Sequence, residues 1–181
     1  MNNPPRREQY LYQPKYCEEN IWQLCNRPQF QESEVVVLAS VGDFFPLLCQ
    51  RAAEAPDVPV FWDYHVVLLW RHGDGEHYIL DFDTTLPFCT PAETYFSRSL
   101  LDENLLRHEY IPRFRLLSAI DYVATLKSDR SHMRSEAGWL AEPPEWPPIC
   151  SNETNLSKFT DMNDDEFGQI LTRSQLITRL I

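Results

Sequence analysis

The chain has 181 residues, a formal net charge of −11, and 43% hydrophobic and 13% aromatic residues. This length and apolar content fit a single core, and no apolar run reaches the roughly 18–20 residues that a membrane-spanning helix needs. The 16 Lys and Arg residues are spread along the chain. Nucleic-acid binding is therefore disfavoured, because phosphates call for clustered basic side chains.

Residues 1–14 are polar and carry three prolines, which predicts an extended or mobile N-terminal arm followed by one domain over 15–181. No apolar stretch of a secretory signal follows Met1. We expect a monomer in the cytoplasm, with the nucleus as a second compartment. The five cysteines, at positions 17, 25, 49, 89 and 150, are then expected to be free thiols.

The first elements follow from apolar spacing and local signals. Apolar residues four, seven and eight positions after Cys17 predict a helix that ends near residue 26. Residues 34–41 are rich in valine and predict a buried strand. Asp43 is a suitable N-cap and predicts a helix to about Ala53. Two strands of a hairpin are expected over 60–71 and 76–83.

The second half continues with a helix from Pro91 to about Leu101, a strand over 113–119 and a short helix over 119–126. Residues 127–154 have the composition of a loop, stiffened by two proline pairs, with Trp139 and Trp146 available to dock on the core. A strand and a helix close the chain over 167–181. The order of elements predicts an α+β fold with a largely antiparallel sheet flanked by helices.

The hairpin can bring a histidine and a carboxylate together. Asp63 and His65 share one face of the first strand, and Asp81 and Asp83 share one face of the second. A loop of residues 72–74 places Asp81 opposite His65, whereas a loop of 73–75 places Asp83 there. Opposed Cβ atoms lie about 4.5–5.5 Å apart, so either register gives the imidazole a carboxylate partner.

Cys17 is the candidate nucleophile for such a pair. Cysteine attacks as a thiolate, and a helix N-terminus or a neighbouring imidazolium lowers the thiol pKa. Cys17 stands where the first helix begins, and the unsatisfied N–H groups of that end can stabilise an oxyanion. A carboxylate fixes the histidine tautomer and stabilises the imidazolium. This pattern predicts a Cys-His-Asp enzyme.

Two other interpretations use the same residues. A strand histidine is commonly a buried residue with its hydrogen bond satisfied, and an aspartate near a strand end is commonly a turn former. A metal site would draw on five side chains, but they lack the usual zinc spacings, so none is expected. These side chains are Cys17, Cys25, His65, His72 and His77.

The ordered segments 16–22 (YCEENIW) and 62–69 (WDYHVVLL) resemble those of the protein N-terminal glutamine amidohydrolases, the WDYHV-motif family. Segments 81–88 (DFDTTLPF), 128–133 (SDRSHM) and 142–147 (EPPEWP) extend the resemblance over residues 10–175. The resemblance implies a papain- or transglutaminase-like arrangement in which Cys17 is the nucleophile, His65 the base and Asp81 the orienting acid. It therefore favours the register with Asp81 opposite His65.

The implied activity is deamidation of an N-terminal glutamine of proteins or peptides to glutamate, with release of ammonia through a Cys17 thioester and without a cofactor. In the family the product feeds the N-degron route. The partners are thus polypeptides with a free N-terminal glutamine, and Asp63, Asp83 and Asp129 are the candidates for binding the α-ammonium. The alternative is a transglutaminase-like acyl transferase or a cysteine peptidase with the same triad.

Overall fold

The computed structural model describes residues 4–73 and 75–180. The helices are α1 (Cys17–Cys25), α2 (Ala92–Ser99), α3 (Ala119–Thr125), α4 (Leu156–Thr160) and α5 (Arg173–Leu180). The strands are β1 (Glu34–Ala39), β2 (Phe45–Leu47), β3 (Val60–Trp62), β4 (Tyr64–Arg71), β5 (His77–Leu80), β6 (Cys89–Pro91), β7 (Arg113–Ser118), β8 (Arg134–Ser135), β9 (Gly138–Trp139) and β10 (Gln169–Leu171).

Six strands form one antiparallel sheet in the order β10-β7-β1-β4-β5-β6. Strand β1 is central, and its side chains from Val35 to Ala39 are buried because helices cover both faces. Helices α1, α3 and α4 pack on one face, and α2 and α5 pack on the other. The predicted α+β class with an antiparallel sheet flanked by helices is confirmed.

The predicted helix over 43–53 is wrong. Residues 45–47 form β2, which pairs with β3 in a separate two-stranded sheet, with Phe45 opposite Trp62 and Leu47 opposite Val60. The predicted strand over 60–71 is accordingly divided at Asp63, where the chain leaves β3 and enters β4. Pairing with β3 outweighs the local helix signal of Asp43.

The proline-rich segment is mostly irregular, as predicted, but it contains a short hairpin of β8 and β9. The Trp146 indole donates a hydrogen bond to Glu19 of α1, whereas Trp139 is 40% exposed and its ring lies against the guanidinium of Arg134. The predicted docking therefore holds for Trp146 and is wrong for Trp139.

The segment before α1, predicted as an arm, lies against the core from Arg7 onward. The Arg7 guanidinium donates to the Thr84 carbonyl (2.9 Å), and the ring of Tyr12 stacks on Phe82. Among the described residues no helix has the length and apolar character needed to cross a bilayer.

Candidate active site

A cleft of about 1040 Å³ opens beside the N-terminus of α1. Its wall includes Cys17, Trp62, Tyr64, Asp83 and His132. These residues come from the start of α1, the β3–β4 junction, the segment after β5 and the proline-rich segment, so the cleft collects side chains from distant parts of the chain.

Helix α1 fixes Cys17 at the floor of this cleft. Ile21 and Leu24 pack the helix into the core. The Asn20 side chain holds both backbone groups of Gln13, accepting from its N–H (2.9 Å) and donating to its carbonyl (2.8 Å). The contact lies just before Cys17, the first residue of the helix, where backbone N–H groups lack partners within the helix.

The Cys17 thiol is 4% exposed and faces more negative than positive charge. Burial raises its pKa well above the ordinary value, and the charges of Glu18, Asp83 and Asp63 raise it further. A hydrogen bond from the Val66 backbone acts in the opposite direction. These effects favour the protonated form of the thiol, so Cys17 would need a base in order to act as a nucleophile.

His65, the residue before Val66 on β4, can serve as that base. It is fully buried, and its Nε2 lies 3.0 Å from Asp81 Oδ1. Its Nδ1 has no hydrogen-bond partner among the described residues. Trp62 stacks on the imidazole, with ring centroids 4.7 Å apart. The ring is thus held at one nitrogen and open at the other.

Asp81 is buried and accepts three hydrogen bonds. They come from His65 Nε2, the Asp83 backbone N–H (2.8 Å) and the Tyr95 hydroxyl (2.7 Å). Burial by itself would raise the pKa of Asp81, but the His65 charge and these hydrogen bonds outweigh it and lower the pKa. Asp81 is therefore a carboxylate, so that Nε2 of His65 carries the hydrogen.

The same pair changes the basicity of the imidazole. Burial lowers the pKa of His65, but the Asp81 carboxylate opposes it by charge and by hydrogen bonding, and the net effect is a raised pKa. His65 is therefore a stronger base at Nδ1 than a free histidine. The structure brings His65 and Asp81 together as the sequence predicted.

The predicted hairpin register is nevertheless wrong. Leu68 pairs with Leu80 and Trp70 with Tyr78, which is the alternative register that would continue to Asp83 opposite His65. The ladder ends at Leu80, and the Asp81 N–H donates to the Phe88 carbonyl instead (3.1 Å). Asp81 contacts His65 as a diagonal neighbour on the same face. Cross-strand side chains can span the distance between diagonal positions.

The three candidates for substrate binding lie in different surroundings. Asp83 lines the cleft and is 7% exposed. Asp63 lines the cleft but is exposed, and its Oδ1 accepts from the Tyr64 backbone (2.9 Å). Asp129 is half-buried outside the lining and accepts from the Ser131 backbone (2.9 Å) as a turn residue.

Potential metal ligands in the described part of the chain are His65, Asp81 and Asp83, which can each offer an atom within 4.8 Å of the others. Cys17, Cys25, His72 and His77, considered from the sequence, are not part of this group. Asp81 is already engaged in three hydrogen bonds, and Asp83 accepts one from the Tyr12 hydroxyl (2.6 Å). The donor set fits a hydrogen-bonded relay better than a cation, and a metal-free site stays a prediction.

A family model described as N-terminal glutamine amidase matches residues 12–180. The chain belongs to this family. It is 37% identical over 173 residues to a Bos taurus protein named protein N-terminal glutamine amidohydrolase, covering 91% of this chain and 83% of that one. A Homo sapiens protein of the same name is 35% identical (97% and 90% covered), and one from Caenorhabditis briggsae is 34% identical (86% and 86%). The resemblance drawn from the five segments is confirmed.

The protein also contains a buried cluster around Glu18 that was not predicted from the sequence. Glu18 is fully buried next to Cys17, and its Oε2 accepts from the Tyr64 hydroxyl (3.1 Å) and lies 3.8 Å from the thiol. His132 Nε2 lies 3.3 Å from Glu18 Oε1. The sequence around Glu18 does not reveal this cluster, because the partners Tyr64 and His132 lie 46 and 114 residues away along the chain.

Glu19 forms a second buried contact, here called the Glu19–Arg130 contact. Its carboxylate accepts from Arg130 Nε (2.6 Å) and Nη2 (2.7 Å) and from the Trp146 indole (2.8 Å). Arg130 also donates to the Trp146 carbonyl (2.8 Å). This contact ties α1 to the proline-rich segment. The available signal was the segment 128–133, of which His132 and Met133 line the cleft.

Proposed function

We propose that this protein deamidates the side chain of an N-terminal glutamine to glutamate and releases ammonia. The observation that carries the proposal is the family match over residues 12–180, with relatives named for this activity. The geometry supports it, because the Cys17 thiol lines the cleft and α1 packs against β4, the strand that carries His65 with its buried partner Asp81.

In the proposed reaction Cys17 and His65 act together. Nδ1 of His65 takes the thiol proton as Sγ attacks the side-chain amide carbon, and Asp81 stabilises the imidazolium that forms. The first N–H groups of α1 face the developing oxyanion. The imidazolium then gives its proton to the amide nitrogen, the C–N bond breaks, and ammonia leaves a γ-glutamyl thioester on Cys17.

Water completes the cycle. His65 Nδ1 takes a proton from water as its oxygen attacks the thioester carbon, the C–S bond breaks, and the proton returns to the Cys17 sulfur. The products are glutamate at the polypeptide N-terminus and the free thiol. A glutamate produced in this way would expose the polypeptide to the N-degron route, and we propose this as the physiological role.

The assay compares three peptides of one sequence with wild-type protein. The first has a free N-terminal glutamine, the second is Nα-acetylated, and the third has one residue before the glutamine. We expect ammonia from the first peptide and none from Cys17→Ser. Equal release from all three peptides contradicts the N-terminal assignment. Cleavage of the peptide backbone, or incorporation of an added primary amine in place of water, indicates a peptidase or an acyl transferase.

The thioester is tested separately. Acid quenching during turnover followed by mass spectrometry should show Cys17 carrying the peptide with the loss of one ammonia, and hydroxylamine should remove the adduct. A wild-type protein that turns over without any adduct under single-turnover conditions contradicts the covalent route.

A further inference from the structure

The proposed substrate carries a positive charge that the catalytic pair does not bind. An N-terminal glutamine presents a free α-ammonium about 5 Å or less from the amide carbon under attack, since four bonds separate the two atoms. A protein that distinguishes this residue from an internal glutamine needs an anionic partner within that distance of the cleft floor. The inference below rests on the proposed function.

Among the described residues, the carboxylates that line the cleft are Asp63, Asp83 and Asp161. Asp63 and Asp161 are exposed, and each already accepts a backbone hydrogen bond, from Tyr64 (2.9 Å) and Asn163 (2.9 Å) respectively. Water competes strongly for the ammonium and the carboxylate at such positions. An exposed ion pair there distinguishes poorly between a free and a blocked N-terminus.

Asp83 differs from the other two in burial and in an unused oxygen. It is 7% exposed, and its Oδ2 is buried without a hydrogen-bond partner among the described residues. A buried carboxylate oxygen without a donor is costly, and a substrate that supplies a charged donor recovers that cost. Burial also raises the pKa of Asp83, which a bound ammonium would counteract.

The position of Asp83 is fixed from three sides. The Tyr12 hydroxyl donates to Oδ1 (2.6 Å), the Arg51 backbone N–H donates to the Asp83 carbonyl (2.7 Å), and the Asp83 N–H donates to Asp81. One carboxylate oxygen of Asp83 can lie within 4.8 Å of a ring nitrogen of His65. The Asp83 charge also acts on the Cys17 thiol, so this carboxylate lies close to both members of the proposed thiol–imidazole pair.

We propose that Asp83 Oδ2 binds the α-ammonium of the N-terminal glutamine and so selects a free N-terminus, with Tyr12 holding the carboxylate in place. A glutamine with a blocked α-amine, or one inside a chain, brings no charge to this oxygen and leaves it unsatisfied. The specificity of the enzyme then resides in a residue adjacent to the catalytic pair rather than in the exposed rim of the cleft.

The test uses two substrates that differ only at the α-amine. One is a peptide that begins with glutamine, and the other begins with a glutaramyl group, in which hydrogen replaces that amine. The wild-type preference, the ratio of kcat/KM for the two, should be roughly a hundredfold or more. Asp83→Asn should reduce this ratio at least tenfold. Both substrates react at the same Cys17 and His65, so a change in the pKa of either residue alters both rates and leaves the ratio unchanged.

Asp63→Asn is the matched control, because it removes the same charge from an exposed position of the same cleft. It should retain the wild-type ratio. A collapse of the ratio in Asp63→Asn with no change in Asp83→Asn overturns the proposal. So does an equal loss on both substrates in Asp83→Asn, because that result means that Asp83 acts through His65 and Asp81.

If a thermal melting curve shows that Asp83→Asn is not folded, Tyr12→Phe provides a second variant. It leaves the carboxylate but frees Oδ1, and we expect a partial loss of the ratio. An unchanged ratio in Tyr12→Phe then counts against the proposal. Failure of the deamidation proposal itself looks different, because wild-type protein would release ammonia from neither substrate.

Discussion

The buried carboxylate beside Cys17 should suppress the reactivity of its thiol. Glu18 Oε2 lies 3.8 Å from Cys17 Sγ. At that separation two unit charges repel by about 1 kcal/mol in water and about 4 kcal/mol at an effective dielectric constant of 20. Glu18→Gln keeps the shape and removes the charge. We therefore expect the thiolate fraction of Cys17 at neutral pH to rise roughly fivefold to a thousandfold.

The assay is alkylation by iodoacetamide as a function of pH, with Cys17 followed by peptide mass mapping. Intrinsic nucleophilicity falls as the thiol becomes more acidic, so the rate at pH 7 should rise by roughly 2- to 30-fold, less than the thiolate fraction. The midpoint of the rate–pH curve should move to lower pH. Cys25 and Cys89 give little background, since burial raises the pKa of their thiols to about 12 and about 11.

Asp63→Asn again serves as the control, because the Asp63 charge also raises the pKa of Cys17 but acts from an exposed side chain. Its midpoint should move less than that of Glu18→Gln. A midpoint that stays in place or moves to higher pH in Glu18→Gln refutes the electrostatic account of the Glu18 cluster.

Three further results are expected. Asp81→Asn should lower kcat by roughly 10³- to 10⁴-fold with little change in KM, because it leaves His65 without its carboxylate. An ammonia-release assay measures this loss, and a loss of less than tenfold contradicts the proposed triad. The stability contributed by the pair should be largest between about pH 4 and 6.5. The lowered pKa of Asp81 makes its share fall at more acidic pH, and the raised pKa of His65 makes its share fall as pH rises through the folded value. Urea unfolding of wild type and Asp81→Asn over pH 3–9 measures this window, and a difference that grows towards pH 9 contradicts it. Arg115→Met should lower the free energy of unfolding by about 3–5 kcal/mol in the same measurement. The reason is that the buried guanidinium donates to four backbone carbonyls between Phe159 and Phe167. A decrease below about 1 kcal/mol contradicts that role.

Elements with strong local signals could be predicted from the sequence. Helix α1 and strand β1 follow from apolar spacing and valine content, and the structure places them where expected. The segment 43–53 could not be predicted, because its conformation depends on pairing with β3 and not on its own cap. Local propensity determines the conformation of a segment only where pairing with distant residues does not stabilise a different conformation.

The candidate site divides in the same way. Residue types and alternation pointed to Cys17 and His65 and left Asp81 and Asp83 as alternatives, and the family resemblance selected Asp81. The hairpin register was predicted wrongly, because the ladder stops before Asp81 and the contact is diagonal. The burial of Glu18 and Glu19 depends on hydrogen-bond partners from the proline-rich segment. The sequence of α1 alone does not show that such partners exist.

The Glu19–Arg130 contact has a consequence for the time at which the protein becomes active during its synthesis. The proposed nucleophile lies near the start of the chain, but the helix that carries it also carries a buried carboxylate that needs Arg130 and Trp146. On a ribosome, a growing chain shorter than about 130 residues would leave that charge without its partner, which opposes docking of α1. The Cys17 thiol would thus take up its position at the cleft only after most of the polypeptide has emerged.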